Sequence, residues 1–153
     1  QEISTNSAYL LDDTKYPVVF EYAGQDTATV HISANDGNAI ENEIIYGSVS
    51  GKKSDEDGNA LGGATLGIFK TGTAEFTKET AIATTVSAED GSFSFEKVPY
   101  GNWLVREIEQ PEGFVLDETS YEVKISEVAQ VIEVEIVNEY VHGNISLTKV
   151  DED

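Results

Sequence analysis

Two segments of this chain are copies of one another, and the distance between them constrains the fold more than any other feature. Residues 47–57 read GSVSGKKSDED and residues 143–153 read GNISLTKVDED. They share Gly, Ser, Lys, Asp, Glu and Asp at equivalent positions, with Val49 and Ile145 as a conservative pair. The offset is 96 residues (143 − 47). Asn42 in AIENEIIYG and Asn138 in EIVNEYVHG repeat at the same offset. A third match, YLLDDTKY at 9–16 against FVLDETSY at 114–121, has an offset of 105, so the stretch from it to the Asn is nine residues longer in the first copy. Solenoid repeats have periods of roughly 20–50 residues; this period is that of a complete small domain in a tandem array.

On that register the chain divides into three parts. Residues 1–46 are expected to be the second half of a preceding copy and to supply its last three strands. Glu2 stands seven residues before Tyr9, as Glu107 stands seven before Phe114. Residues 47–142 are expected to be a full copy, and residues 143–153 the first strand of the next.

Within the full copy, strand signals dominate and helix signals are weak. Short runs rich in Val, Ile, Thr, Phe and Tyr are cut by Gly, Asn and Asp turns. Strands are expected near 47–54, 64–69, 80–87, 92–97, 102–109, 120–126 and 130–139. Asp57-Gly58-Asn59 follows the first strand, and Glu89-Asp90-Gly91 makes a tight hairpin. Pro99-Tyr100-Gly101 and Pro111-Glu112-Gly113 break the chain on either side of one strand. Residues 70–79 read as a loop or a single helical turn. Seven strands with frequent turns predict an all-β fold, a seven-stranded antiparallel, Ig-like β-sandwich.

Composition removes several function classes. The 29 acidic and 9 basic residues give a formal net charge of −20, which repels phosphate backbones and anionic membranes alike. Such acidity suits a long extracellular polymer that must stay soluble. No Cys or Met is present, so disulfides and thiol metal sites are excluded. No apolar run reaches transmembrane length, and no targeting segment is visible.

Period-2 parity then places three polar side chains on inward faces. Val49, Gly51, Lys53 and Asp55 share one face of the first strand. Trp103, Val105 and Glu107 share one face of the strand between the two Pro breaks. Val134, Ile136 and Asn138 share one face of the last strand. A Lys, a Glu and an Asn buried together between sheets are costly if unpaired. They are suited to a reaction. Burial favours the neutral amine of Lys53, a nucleophile. It also favours a protonated Glu107, which can polarise the Asn138 carboxamide and shuttle the proton. Attack on that carboxamide expels ammonia and leaves a Lys–Asn isopeptide bond between first and last strands. Proximity in the folded state drives this single turnover. The chain is therefore not expected to be an enzyme in the ordinary sense.

The stretch GSVSGKKSDEDGNALGGATLGIFK resembles the opening of Cna B-type, or SpaA-type, repeats of Gram-positive surface proteins and pilins. DGSFSFEKVPYGNWLVREIEQPEGFVLDET resembles the family's middle, with its Tyr-Gly turn and a Glu four residues before Pro-x-Gly-aromatic. EIVNEY resembles its closing strand. The resemblance covers 47–142 in full and both flanks in part. It implies a prealbumin-like sandwich and a Lys53–Asn138 isopeptide with Glu107 as the proton shuttle. Glu2 and Asn42 are the matching residues of the preceding copy, and Lys149 that of the next. Gly51 departs from the pattern: the family tends to have a large apolar residue there, as Leu147 does in the next copy, which predicts looser packing beside Lys53.

Other polar features have plainer readings. Lys52 is a solvated surface lysine, as most lysines are. Trp103 is a core aromatic covering the crosslink. The turn Asp55-Glu56-Asp57-Gly58 lacks EF-hand spacing and reads as solvated. His31 and His142 have no ligand spacing, and no triad or phosphate loop is apparent. No cofactor or metal is therefore expected. The sequence points to a stalk or fibre module on the cell surface, held to the wall by segments outside this chain. Its expected partners are neighbouring repeats, including head-to-tail contacts of 143–153 with 1–46 of another molecule. The alternative is an adhesin domain recognising a host protein or glycan, for which only loop 70–79 and the tail 22–39 offer candidate surfaces.

Overall fold

The computed structural model describes residues 1–17, 24 and 40–149. The tail at 22–39, His31 and the last four residues of the repeat at 150–153 lie outside the described residues, Gly24 excepted.

Seven strands form, close to where the apolar alternation and turn residues place them. They are β1 (Tyr46–Asp55), β2 (Thr65–Lys70), β3 (Ala83–Val86), β4 (Ser92–Pro99), β5 (Gly101–Glu109), β6 (Tyr121–Ile125) and β7 (Val131–Asn138). No helix occurs among the described residues; 71–81 is a looped connection. The strands make two sheets, β4-β1-β7 and β3-β2-β5-β6.

Four of the five pairings are antiparallel, but β1 and β7 run parallel, with Lys53 beside Ile136 and Asp55 beside Asn138. The sandwich is thus mixed at one pair, not antiparallel throughout. Alternating side chains fix a strand's faces but not its direction, so sequence pattern leaves this open. Its consequence is that the chain enters along β1 at one end and leaves along β7 at the other.

Between the sheets lie Val49, Leu66, Ile68, Phe93, Phe95, Val98, Trp103, Val105, Val123, Ile125, Val134 and Ile136, all buried. The alternation is clean in β5, where Trp103, Val105 and Glu107 turn inward, and in β7, where Val134, Ile136 and Asn138 do. Strand β2 is buried on both faces. The 71–81 loop folds over its outer side, where Phe76 meets Phe69 edge-on at 4.9 Å and Arg106 sits 4.4 Å above the Phe76 ring. That loop serves as a cover for the sheet.

Gly51 shows why a small residue stands there. A Cβ would collide with the Phe93 ring and the Val134 carbonyl oxygen. The aromatic ring of the neighbouring strand fills the space a large residue would otherwise take, so packing beside Lys53 is tight.

Candidate crosslinking site

Lys53, Glu107 and Asn138 come from β1, β5 and β7, and each is only 1% exposed. Parity turns each inward, and register brings β1 and β7 side by side. The backbone at Lys53 is held by two neighbours: its N–H donates to the Gly91 carbonyl at 2.7 Å, and its carbonyl accepts from Leu61 N–H at 2.9 Å. Gly91 has φ +75°, and a Cβ on it would strike the Lys53 carbonyl oxygen, so the hairpin can approach this closely only with glycine.

Glu107 faces both partners. Its Oε1 lies 3.9 Å from Lys53 Nζ, and its Oε2 accepts from Asn138 Nδ2 at 2.8 Å. A second acceptor, the Val115 carbonyl, holds the same Nδ2 at 2.6 Å. The Asp117 backbone N–H donates to Glu107 Oε2 at 2.8 Å. Among the described residues three buried side-chain polar atoms have no hydrogen-bond partner: Lys53 Nζ, Glu107 Oε1 and Asn138 Oδ1. Burial pushes the Lys53 ammonium below its usual value, against the attraction of the Glu107 and Asp117 carboxylates. A carboxyl placed this way can take a proton from the amine on one oxygen and give one to the amide nitrogen from the other.

A brace steadies the acid. Asp117 accepts from Thr119 N–H at 2.9 Å and from the Tyr121 hydroxyl at 2.8 Å. Burial alone would raise the Asp117 carboxyl; these hydrogen bonds overcome it and hold the group below its usual value. Tyr121 is pushed up to about 12, by burial first and then by Asp117. Sequence reasoning assigned no role to Val115 or Asp117. The signal was the match at an offset of 105 residues that contains both, but each touches the Glu107–Asn138 pair through its backbone.

Two expectations need correction. Trp103 is a core residue whose Nε1–H donates to the Pro99 carbonyl at 2.8 Å. It lies four residues from Glu107 along β5, about 13 Å away, so it does not cover the site. Asp55 is not solvated but 6% exposed. Its carboxylate accepts from the Tyr140 hydroxyl at 2.6 Å and from the backbone N–H groups of Asp57 and Asn59 at 3.0 and 2.8 Å. These bonds, the Tyr140 one first, hold it at about 2. The carboxylate ties the turn after β1 to the chain leaving β7. Among the described residues no group of three or more His, Cys, Asp or Glu side chains is placed to hold a metal ion.

In the segment before β1, Asn42 Nδ2 donates to Glu2 Oε1 at 2.9 Å. Residues 1–17 and 40–45 make no named strand, however; one isolated bridge joins Tyr9 to Ile44. Lys149 lies in the exposed segment after β7, which has no regular structure over 141–149.

The family model for the SpaA prealbumin-like fold domain matches residues 47–140. The chain belongs to this family. Among solved structures, the SpaA domain is similar to the Bacillus anthracis TIE protein, at 25% identity and a TM-score of 0.58, over 67% of this chain and 19% of that one. It is also similar to BcpA, the major pilin subunit of Bacillus cereus, at 23% identity and 0.53, over 65% of this chain and 32% of that one. The group B streptococcus pilus 2b backbone protein matches at 18% identity and a TM-score of 0.52, over 70% of this chain and 47% of that one. The chain thus spans less than half the length of each of these three. No curated protein matches it.

Proposed function

We propose that residues 47–142 are a self-crosslinked structural module of a Gram-positive surface fibre. In this reading the Lys53 Nζ–Asn138 Cγ bond is the functional product. The observation that carries it is the trio of unpaired buried atoms on Lys53, Glu107 and Asn138. An unsatisfied buried polar group costs about 1–3 kcal/mol, and three in one cluster call for a reason. The crosslink supplies one, because it turns the amine and amide into a single amide.

The chemistry balances without a cofactor. Lys53 ammonium passes a proton to Glu107 Oε1, and the neutral amine attacks Asn138 Cγ. The C–N bond to Nδ2 breaks as Glu107 returns the proton to that nitrogen. Ammonia leaves, carrying away a second proton from the attacking nitrogen. Glu107 ends as it began, so the turnover is single and internal.

The fibre role follows from the topology together with the likeness to a major pilin and a pilus backbone protein. Because β1 and β7 are parallel neighbours, a bond between them lies directly on the line from chain entry to chain exit. Residues 1–46 and 143–153 belong to adjoining repeats in this reading, the array is extracellular and wall-anchored, and copies associate head to tail. The adhesin reading has less support, since the 71–81 loop is spent on covering Phe69. Intact mass under denaturing conditions tests the proposal. A chain short by one ammonia, restored to full mass by Lys53→Ala and by Asn138→Ala, is the expected result; full mass in the unaltered chain would overturn it.

A further inference from the structure

The segment before β1 is seated on the entry end of the SpaA domain. Ile45 is 8% exposed and belongs to the same buried cluster as Val98 and Ile125, with Leu10 and Tyr100 packed against it. The Tyr100 N–H donates to the Ile45 carbonyl at 2.8 Å, and the Tyr100 hydroxyl shares a 3.1 Å hydrogen bond with Ser7 Oγ. The turn that presents Tyr100 is braced from within. Gly101 has φ +141°, a conformation that favours glycine, and Trp103 Nε1–H donates to the Pro99 carbonyl at 2.8 Å.

What fills this socket is built like the far end of the domain itself. Leu10 N–H donates to the Glu43 carbonyl at 2.7 Å, as Val115 does to Glu139 at 2.9 Å. Ile45 N–H donates to the Ala8 carbonyl at 2.8 Å, as Val141 does to Gly113 at 2.9 Å. The offsets are those of the repeat, 105 from Leu10 to Val115 and 96 from Ile45 to Val141. Leu10 and Ile45 pack into the buried cluster, whereas Val115 and Val141 are 48% and 62% exposed.

We infer that the Tyr100 turn is a docking socket for the exit end of a neighbouring SpaA-type repeat, filled by the residues equivalent to Val115 and Val141. This rests on the reading of residues 1–46 as part of an adjoining repeat, and not on the crosslink. Domains of one chain move relative to each other unless an apolar contact ties them. Here the contact continues the core, so adjoining repeats keep a fixed angle and the stalk is stiff at its joints. Socket and plug are different surfaces of one repeat, so the contact is heterologous and propagates along a rod.

The test is amide hydrogen exchange followed by NMR on the whole chain, with intact mass from the same samples. The Leu10 and Ile45 amides should be protected in the unaltered chain. Tyr100→Ala removes the ring and its bond to Ser7, and Leu10→Asp spoils the plug without touching the 47–140 core. Each should speed exchange at Ile45 by about tenfold or more, while the β1 and β7 amides keep their protection. A chain carrying Ser7→Glu, Leu10→Val and Ile45→Val together bears the residues of Glu112, Val115 and Val141 at those positions, and should stay docked. Unprotected amides in the unaltered chain, or exchange unmoved by both disrupting variants, would overturn the socket. Loss of protection in the triple variant would overturn the identity of its partner. Ammonia loss beside unprotected amides would leave the crosslinked module standing without the docking; full mass beside protected amides would do the reverse.

Discussion

Replacing Glu107 by Gln separates the crosslink from the architecture around it. Gln keeps the volume and can still accept the Asn138 amide proton now held at 2.8 Å, but it cannot take up and return a proton. The proposed bond would close a loop of 85 residues from Lys53 to Asn138. In the chain-entropy treatment used for disulfides, a loop of that size is worth about 4–5 kcal/mol. For a domain of this length each kcal/mol moves Tm by about 4–8 °C, so the variant should melt roughly 20–35 °C below the unaltered chain. The orphaned atoms at Lys53 and Asn138 also persist in the variant, which adds to the loss. Calorimetry gives the melting temperature, and intact mass reports whether ammonia has left. A variant that retains its ammonia yet melts within a few degrees of the unaltered chain would refute the argument that this bond carries the stability.

Gly51→Ala sets a Cβ against the Phe93 ring and the Val134 carbonyl oxygen; a loss of about 1–3 kcal/mol in urea unfolding is expected, and an unchanged midpoint would show that β1 shifts freely. The Asp55–Tyr140 bond should shape both limbs of the pH–stability curve. Asp55, held at about 2, contributes fully above its ordinary value of 3.8 and loses that contribution as pH falls through 2; Tyr140, pushed up to about 12 by the same bond, contributes fully below 10 and loses it as pH rises through 12. Tyr140→Phe should flatten both limbs in urea midpoints taken across pH, and limbs of unchanged slope would count against the bond. In single-molecule pulling through the chain ends, the crosslinked domain should show no unfolding step for the 84 residues between Lys53 and Asn138. Lys53→Ala should release roughly 280–300 Å of chain, and an equal release from the unaltered chain would mean that no bond bears the load.

Much of this was legible in the sequence, for reasons that also explain the gaps. Alternation in β5 and β7 predicted that Glu107 and Asn138 face inward, because a strand's period of two permits only two faces. The same logic placed Asp55 on the Lys53 face, yet its neighbours Glu56, Asp57 and Gly58 read as a solvated turn. What buries Asp55 is Tyr140, 85 residues away, a contact that no local pattern encodes. Trp103 illustrates a second gap: parity gives the face but not which residues of another sheet lie opposite, so its distance from Glu107 emerged only with the register. The parallel sense of β1 and β7 depends on the path of the whole chain. Val115 acts through its carbonyl, a group that every residue has and side-chain pattern cannot flag, and Asp117 reaches Glu107 through its N–H while its carboxylate is held by Thr119 and Tyr121.

The two copies of the acid–amide pair also show which part of the site is locally determined. From Glu2 to Asp12 and from Glu107 to Asp117 the spacing is ten residues, and the hydrogen bonds to Thr and Tyr follow at the same steps. From Tyr16 to Asn42, by contrast, the chain runs 26 residues, and from Tyr121 to Asn138 only 17. By loop-closure entropy that difference costs about 0.4 kcal/mol, less than one net hydrogen bond, at about 0.5–1.5 kcal/mol. The connection can therefore lengthen while the Asn still returns to the same carboxylate. The Asp-x-Thr-x-Tyr brace fixes the acid within its own short segment, and the last strand brings the amide to it.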